Sequence, residues 1–161
     1  MAEYSANAVQ TVAANQPVIF TEAPVPCNRG LIFHRDESGV FRLASPSVIN
    51  GFGWNTGWGC PCCNSMPESN YLVSFHANIA VPTGGTVGPI SLAIAIDGTI
   101  DPSSTMIVTP AAVEEFFNVG AGIIVAVPSI CRCESISVIN TGTGDVLVQN
   151  ANLLISYQGI R

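Results

Sequence analysis

The chain has 161 residues, 48% of them hydrophobic and 10% charged, with a formal net charge of −6 and five basic residues that are all Arg. That length fits one domain with a real core, and a charge content far below the ~25% of an ordinary soluble domain points to a surface largely covered by copies of the chain itself. No apolar run approaches the roughly 18 to 20 residues of a spanning helix, MAEYSANAVQ lacks the basic start and apolar stretch of a signal peptide, and no Lys/Arg cluster could neutralise phosphates. The expectation is a self-associating protein made in the cytoplasm, with neither a membrane nor a nucleic acid as partner.

In chain order, QPVIFTE, GLIFHR, GVFRLAS, YLVSFHANIAV, ISLAIAIDG, TMIVTP, AVEEFFNV, GIIVAVPS, SISVIN, DVLVQN and ANLLISYQ are short runs rich in Val, Ile, Phe and Thr, broken by Gly, Pro, Asn and Asp. They read as strands, and no helical stripe competes with them. Tyr71, Val73, Phe75, Ala77 and Ile79 fall on one face of a half-buried strand, with Ser74, His76 and Asn78 on the other. DESG, Asp97-Gly98 and Gly142 to Gly144 read as hairpin turns. The fold class expected is all-β: a single antiparallel sandwich or barrel.

One stretch, 45–70, breaks this rhythm with both Trp and three Cys in SPSVINGFGWNTGWGCPCCNSMPESN. Loops of that length are usually functional or disordered, and the Trp and Cys content favours an ordered excursion. Trp54 and Trp58 could stack on a sugar ring or a partner, or simply pack the loop onto its own sandwich.

Six Cys are present: Cys27 alone, Cys60, Cys62 and Cys63 together, and Cys131 with Cys133. Their C-x-C-C and C-x-C spacings do not match the zinc knuckle, in which two to four residues let the chain wrap the ion. Structural disulfides, free thiols and a metal all remain open, with disulfides the first expectation, and one of the adjacent pair could reach another chain.

The inventory for catalysis is thin. There are two His and 11 acids, and no nucleophile elbow, zincin, Walker or dinucleotide pattern occurs. His34, Arg35, Asp36 and Glu37 crowd one hairpin and read as a solvated turn. Glu114 and Glu115, as neighbours in a strand, would point to opposite faces and could not share a site. His76 would either be hydrogen-bonded among polar neighbours or meet its symmetry mates on an axis. No catalysis, cofactor or metal is expected.

Phe20, the hairpin GLIFHRDESGVFRLAS, the strands YLVSFHANIAV and ISLAIAIDGTI, the run GAGIIVAVPS and the closing SISVINTGTGDVLVQNANLLISYQ resemble the complement/tumour-necrosis-factor-like jelly roll. The likeness is to its bacterial and phage members, such as the C-terminal domain of spore-surface collagen-like glycoproteins and phage head-fibre or decoration proteins. Tyr71, Val73 and Phe75 match a Y-x-V-x-F strand, and Ala151, Leu153 and Ile155 a closing A-x-L-x-I strand.

The resemblance implies a ten-stranded jelly roll forming a homotrimer through one sheet, on the surface of a virion or, alternatively, a spore. The missing Gly-X-Y stalk and the added Cys/Trp loop fit a capsid decoration, head-fibre or tail-tip protein better than a spore filament. The expected organisation is an N-terminal arm and first strand at 1–15, whose first ten residues anchor the trimer to its particle, and a jelly roll at 16–161. Leu72, Ser74, His76, Leu154 and Ser156 are the expected trimer interface. Trp54, Trp58, Thr83 and Thr86 are the expected contacts to capsid proteins or to a host glycan or protein.

Overall fold

The computed structural model describes residues 1–25, 31–35, 38–45, 68–128 and 134–160. The strands are β1 (Ala2–Ala6), β2 (Gln10–Val12), β3 (Glu22–Val25), β4 (Ile32–His34), β5 (Val40–Leu43), β6 (Glu68–Ala80), β7 (Ile90–Ile96), β8 (Thr99–Ile100), β9 (Met106–Val108), β10 (Phe117–Pro128), β11 (Glu134–Asn140) and β12 (Val146–Ile160). A single 3-10 turn, Pro102–Ser104, interrupts them. The first sheet runs β10-β6-β12-β1-β3 with β2 beside β12, and the second β4-β5-β11-β7-β8 with β9 beside β7. From β5 onward the chain passes to and fro between the sheets, a jelly-roll-like path through an all-β antiparallel sandwich.

Alternation of side chains places the core between the sheets. Along β6, Tyr71, Val73, Phe75 and Ile79 are fully buried while Leu72, Ser74, His76 and Asn78 face out, as the sequence period requires. Aromatic rings tie the layers together: Tyr4 meets Phe41 at 4.6 Å, Phe41 meets Phe20 at 5.4 Å, and Phe20 meets Phe75 edge-on at 6.4 Å. Each such pair adds ~0.5–1.5 kcal/mol beyond the area it buries.

Several elements differ from the sequence reading. The described residues form twelve strands where about ten were expected. DVLVQN and ANLLISYQ form one strand, β12, because Asn150 takes φ 51° in a bulge that sets Asn150 and Ala151 against Ala77 alone. The Gly142–Gly144 turn is no hairpin: it carries the chain from β11 in the second sheet to β12 in the first. AVEEFFNV is extended only from Phe117, since the Glu115 carboxylate accepts from the Ala111 and Ala112 amides at 2.8 and 3.2 Å and curls the chain. Glu114 and Glu115 are therefore separated by a turn and not by strand alternation. Asp97-Gly98 does form a hairpin turn, joining β7 to β8 with φ of 49° and 78°.

The expected anchoring arm is also corrected. Residues 2–6 form β1, hydrogen-bonded between β12 and β3, with Ala2 and Tyr4 buried. The excursion expected at 45–70 is narrower at both ends. Glu68–Asn70 belong to β6, and Ser45 is buried with its hydroxyl 2.9 Å from that of Ser69. Tyr71 donates its hydroxyl proton to the Ala44 carbonyl at 2.5 Å beside this pair.

Gly39 is tightly placed. A Cβ there would lie 2.6 Å from both the Pro17 Cβ and the Val18 carbonyl oxygen. Gly39→Ala is expected to cost about 1–3 kcal/mol through overpacking, read as a lower urea midpoint with an unchanged slope. An unchanged midpoint would show that the 17–18 segment yields freely.

Candidate functional site

The outward face of the first sheet is built by register. Gly120, His76 and Asn152 form one row across β10, β6 and β12, Gly122, Ser74 and Leu154 the next, and Ile124, Leu72 and Ser156 a third. Asn118 and Asn78 close one end, with the Asn118 amide donating to the Asn78 Oδ1 at 3.2 Å. None of these side chains is an acid or an Arg. The acids flank them: Glu68 ends the face on β6 opposite Pro128, and Glu3 on β1 accepts from the Asn152 amide at 2.6 Å.

The five expected interface residues, Leu72, Ser74, His76, Leu154 and Ser156, thus share one face. His76 is exposed and makes no hydrogen bond among the described residues. The sequence reading took GIIVAVPS as a strand but assigned none of its residues to this face. Ile124, on the edge strand β10, is 68% exposed, and Gly122 lies two residues before it on the same face. The alternation of Gly122, Ile124 and Ala126 with buried Ile123, Val125 and Val127 was the available signal.

Gly122 is informative because its own chain does not require it. A Cβ at that position would meet nothing closer than 3.6 Å, an ordinary contact, and its φ is not positive. A strand-interior glycine costs ~0.5–1 kcal/mol against Ala and often marks close approach by another backbone. Together with Ser74 and Gly120 it leaves a shallow apolar floor beside the Ile124 side chain.

Thr83 and Thr86 lie in an exposed loop away from this face, and the Thr83 hydroxyl donates to Glu114 at 2.6 Å. Trp54, Trp58 and the six cysteines, Cys27, Cys60, Cys62, Cys63, Cys131 and Cys133, lie outside the described residues. Among the described residues no three His, Cys, Asp or Glu side chains gather. His34 departs from the solvated-turn reading: its ring stacks on Phe41 at 4.3 Å and its Nε2–H donates to the Ser38 carbonyl at 2.8 Å.

No family model matches the chain, and no curated protein does. Among solved structures it is similar to the GH26-CBM35 β-(1,4)-mannanase of Podospora anserina, with 15% identity over 94% of this chain and a TM-score of 0.32. The chain spans 28% of that protein's length, and at this score the likeness bears on neither fold nor function.

Proposed function

We propose that the chain forms a homotrimeric jelly roll of the complement/tumour-necrosis-factor-like kind and serves as a structural element on the surface of a virion. The supporting observation is the part of the first sheet's outward face where β10, β6 and β12 run side by side from Asn78 to Asn70: no acid or Arg stands there among the described residues, Gly120, Gly122 and Ser74 leave it low, and Ile124 stands out at 68% exposure. A monomer would leave this face in water, whereas a copy seated on it would bury Ile124, Leu72 and Leu154 at about 25 cal/mol per Å² of apolar surface. Closed symmetry gives each copy the same contacts and consumes the face. The particle setting follows from the resemblance to phage and spore-surface jelly rolls, and its partners there are capsid proteins.

Sedimentation at micromolar concentration is expected to give a trimer for the wild type and a monomer for Ile124→Arg/Leu154→Arg, which buries like charges at every copy of the interface. Both positions face outward, so the variant should keep the β spectrum of the wild type. A monomeric wild type would overturn the reading, as would a trimer indifferent to the two arginines. The particle role is tested by labelled trimer co-purifying with virions released from the producing cell.

A further inference from the structure

The hairpin of β4 and β5 carries a second, separate site on the outer face of the other sheet. Phe33 and Arg42 are direct cross-strand partners. Arg35 follows two residues after Phe33, and Val40 comes two residues before Arg42, so all four point to the same side. With His34 and Ser38 they line a cleft of about 750 Å³, within the ~300–1,000 Å³ of small-ligand sites. Phe33 is 51% exposed and Val40 44%.

Its charge sets this cleft apart. Of five arginines in a chain of net charge −6, Arg35 and Arg42 are the two within the described residues, and both line it. Both are exposed, and neither makes an ion pair or side-chain hydrogen bond among the described residues. Asp36 and Glu37, at the tip of this hairpin, lie outside the described residues; among the described residues the two guanidinium forks meet no carboxylate, and an anion between them would relieve their mutual repulsion. His34 borders the cleft from the hairpin's other face, where its ring stacks on buried Phe41 and its Nε2–H···O bond to Ser38 fixes the imidazole.

The geometry points to an anion-binding site for an acidic saccharide, a pyranose carrying a carboxylate or a sulfate. The Arg35 and Arg42 guanidiniums would take the anionic group, and the exposed Phe33 ring would lie against the C–H face of the sugar. An inorganic anion would use the arginines alone, and a neutral sugar would use Phe33 alone. This site shares no residue with the face proposed for trimer formation, and neither inference depends on the other.

Titration calorimetry at low salt with a galacturonate trisaccharide, a heparin-derived tetrasaccharide, a neutral galactose trisaccharide and inorganic sulfate tests the assignment. At least one acidic saccharide is expected to bind, with the neutral one weaker by roughly tenfold or more, since charge-assisted hydrogen bonds are lost. Arg35→Gln/Arg42→Gln should abolish acidic-sugar binding. Phe33→Ala should weaken the sugar and leave sulfate unchanged. All three positions are exposed, so melting and sedimentation should match the wild type, which separates a failure here from a failure of the trimer. Absence of any acidic-saccharide binding, equal binding of the neutral sugar, or acidic binding undiminished by the double glutamine variant would overturn the site.

Discussion

Deleting residues 2–6 is expected to abolish cooperative folding, with the truncated chain recovered as aggregate and showing no thermal transition. β1 is an interior strand of the first sheet: Ala2 to Ala6 pair residue by residue with Ile155 to Ala151, and β3 hangs from the other side. Removing it strips both ladders, exposes the β12 edge and withdraws Tyr4 from Phe41 and from His34, its neighbour at 5.0 Å. Burial of Tyr4, Ala2 and Ala6 plus the lost hydrogen bonds amounts to about 5 kcal/mol or more, comparable to the ~5–15 kcal/mol that holds a whole domain folded. An exposed edge strand is also a template for association. A truncated protein that melts at the wild-type temperature would show that the sheet does without its fourth strand.

The second large effect is expected at Asn140, which is fully buried where the chain leaves β11 for β12. Its amide donates to the Val12 carbonyl at 2.9 Å and to the Gly144 carbonyl at 2.8 Å, and its Oδ1 accepts from the Gly142 N–H at 2.9 Å. One side chain therefore closes the inter-sheet turn and ties it to β2. Asn140→Leu fills similar volume and leaves three backbone groups without partners, at about 1–3 kcal/mol for each that water cannot reach. A loss of about 3 kcal/mol is expected in denaturant unfolding. Asn118→Ala, an exposed asparagine with a single 3.2 Å bond, serves as the control and should cost under about 0.5 kcal/mol. Equal effects at the two positions would remove the special role assigned to Asn140.

The long strands were legible because their period is local. Tyr71, Val73 and Phe75 alternate with Leu72, Ser74 and His76 inside one window, so the face shared with Leu154 and Ser156 could be read before any register was known. The bounds of β1 were not legible: a first strand was expected within 1–15, but of Ala2, Tyr4 and Ala6 only Tyr4 favours a strand, and what makes residues 2–6 one is β12, about 150 residues away. Asn150 reads locally as a turn, and only pairing of both halves of β12 with β6 turns that break into a bulge. AVEEFFNV carries strand-forming Val and Phe, but Glu115 competes for the backbone and wins over its first half. The β4–β5 cleft was hidden in the same way. Each of Phe33, Arg35 and Arg42 is ordinary by itself, and the hairpin register brings the aromatic opposite one unpaired cation and beside another.

The pairing of β1 with β12 also sets an order of events during synthesis. β1 is made about 150 residues before its partner β12, so the middle of the first sheet stays open until β12 has been made. Until then β6 and β10 can form a long antiparallel pair whose free side, the one later covered by β12, exposes unpaired backbone next to the apolar row of Tyr71, Val73 and Phe75. Closing so long a span is slow compared with local hairpin formation, and open edges invite association with other nascent chains. Because β12 pairs with β6 on one side and β1 on the other, its arrival completes the sheet, and the outward face shared by β6, β10 and β12 comes into being only at that step. In the proposed trimer, copies would recognise one another through this face only once β12 is in place, which keeps assembly behind folding.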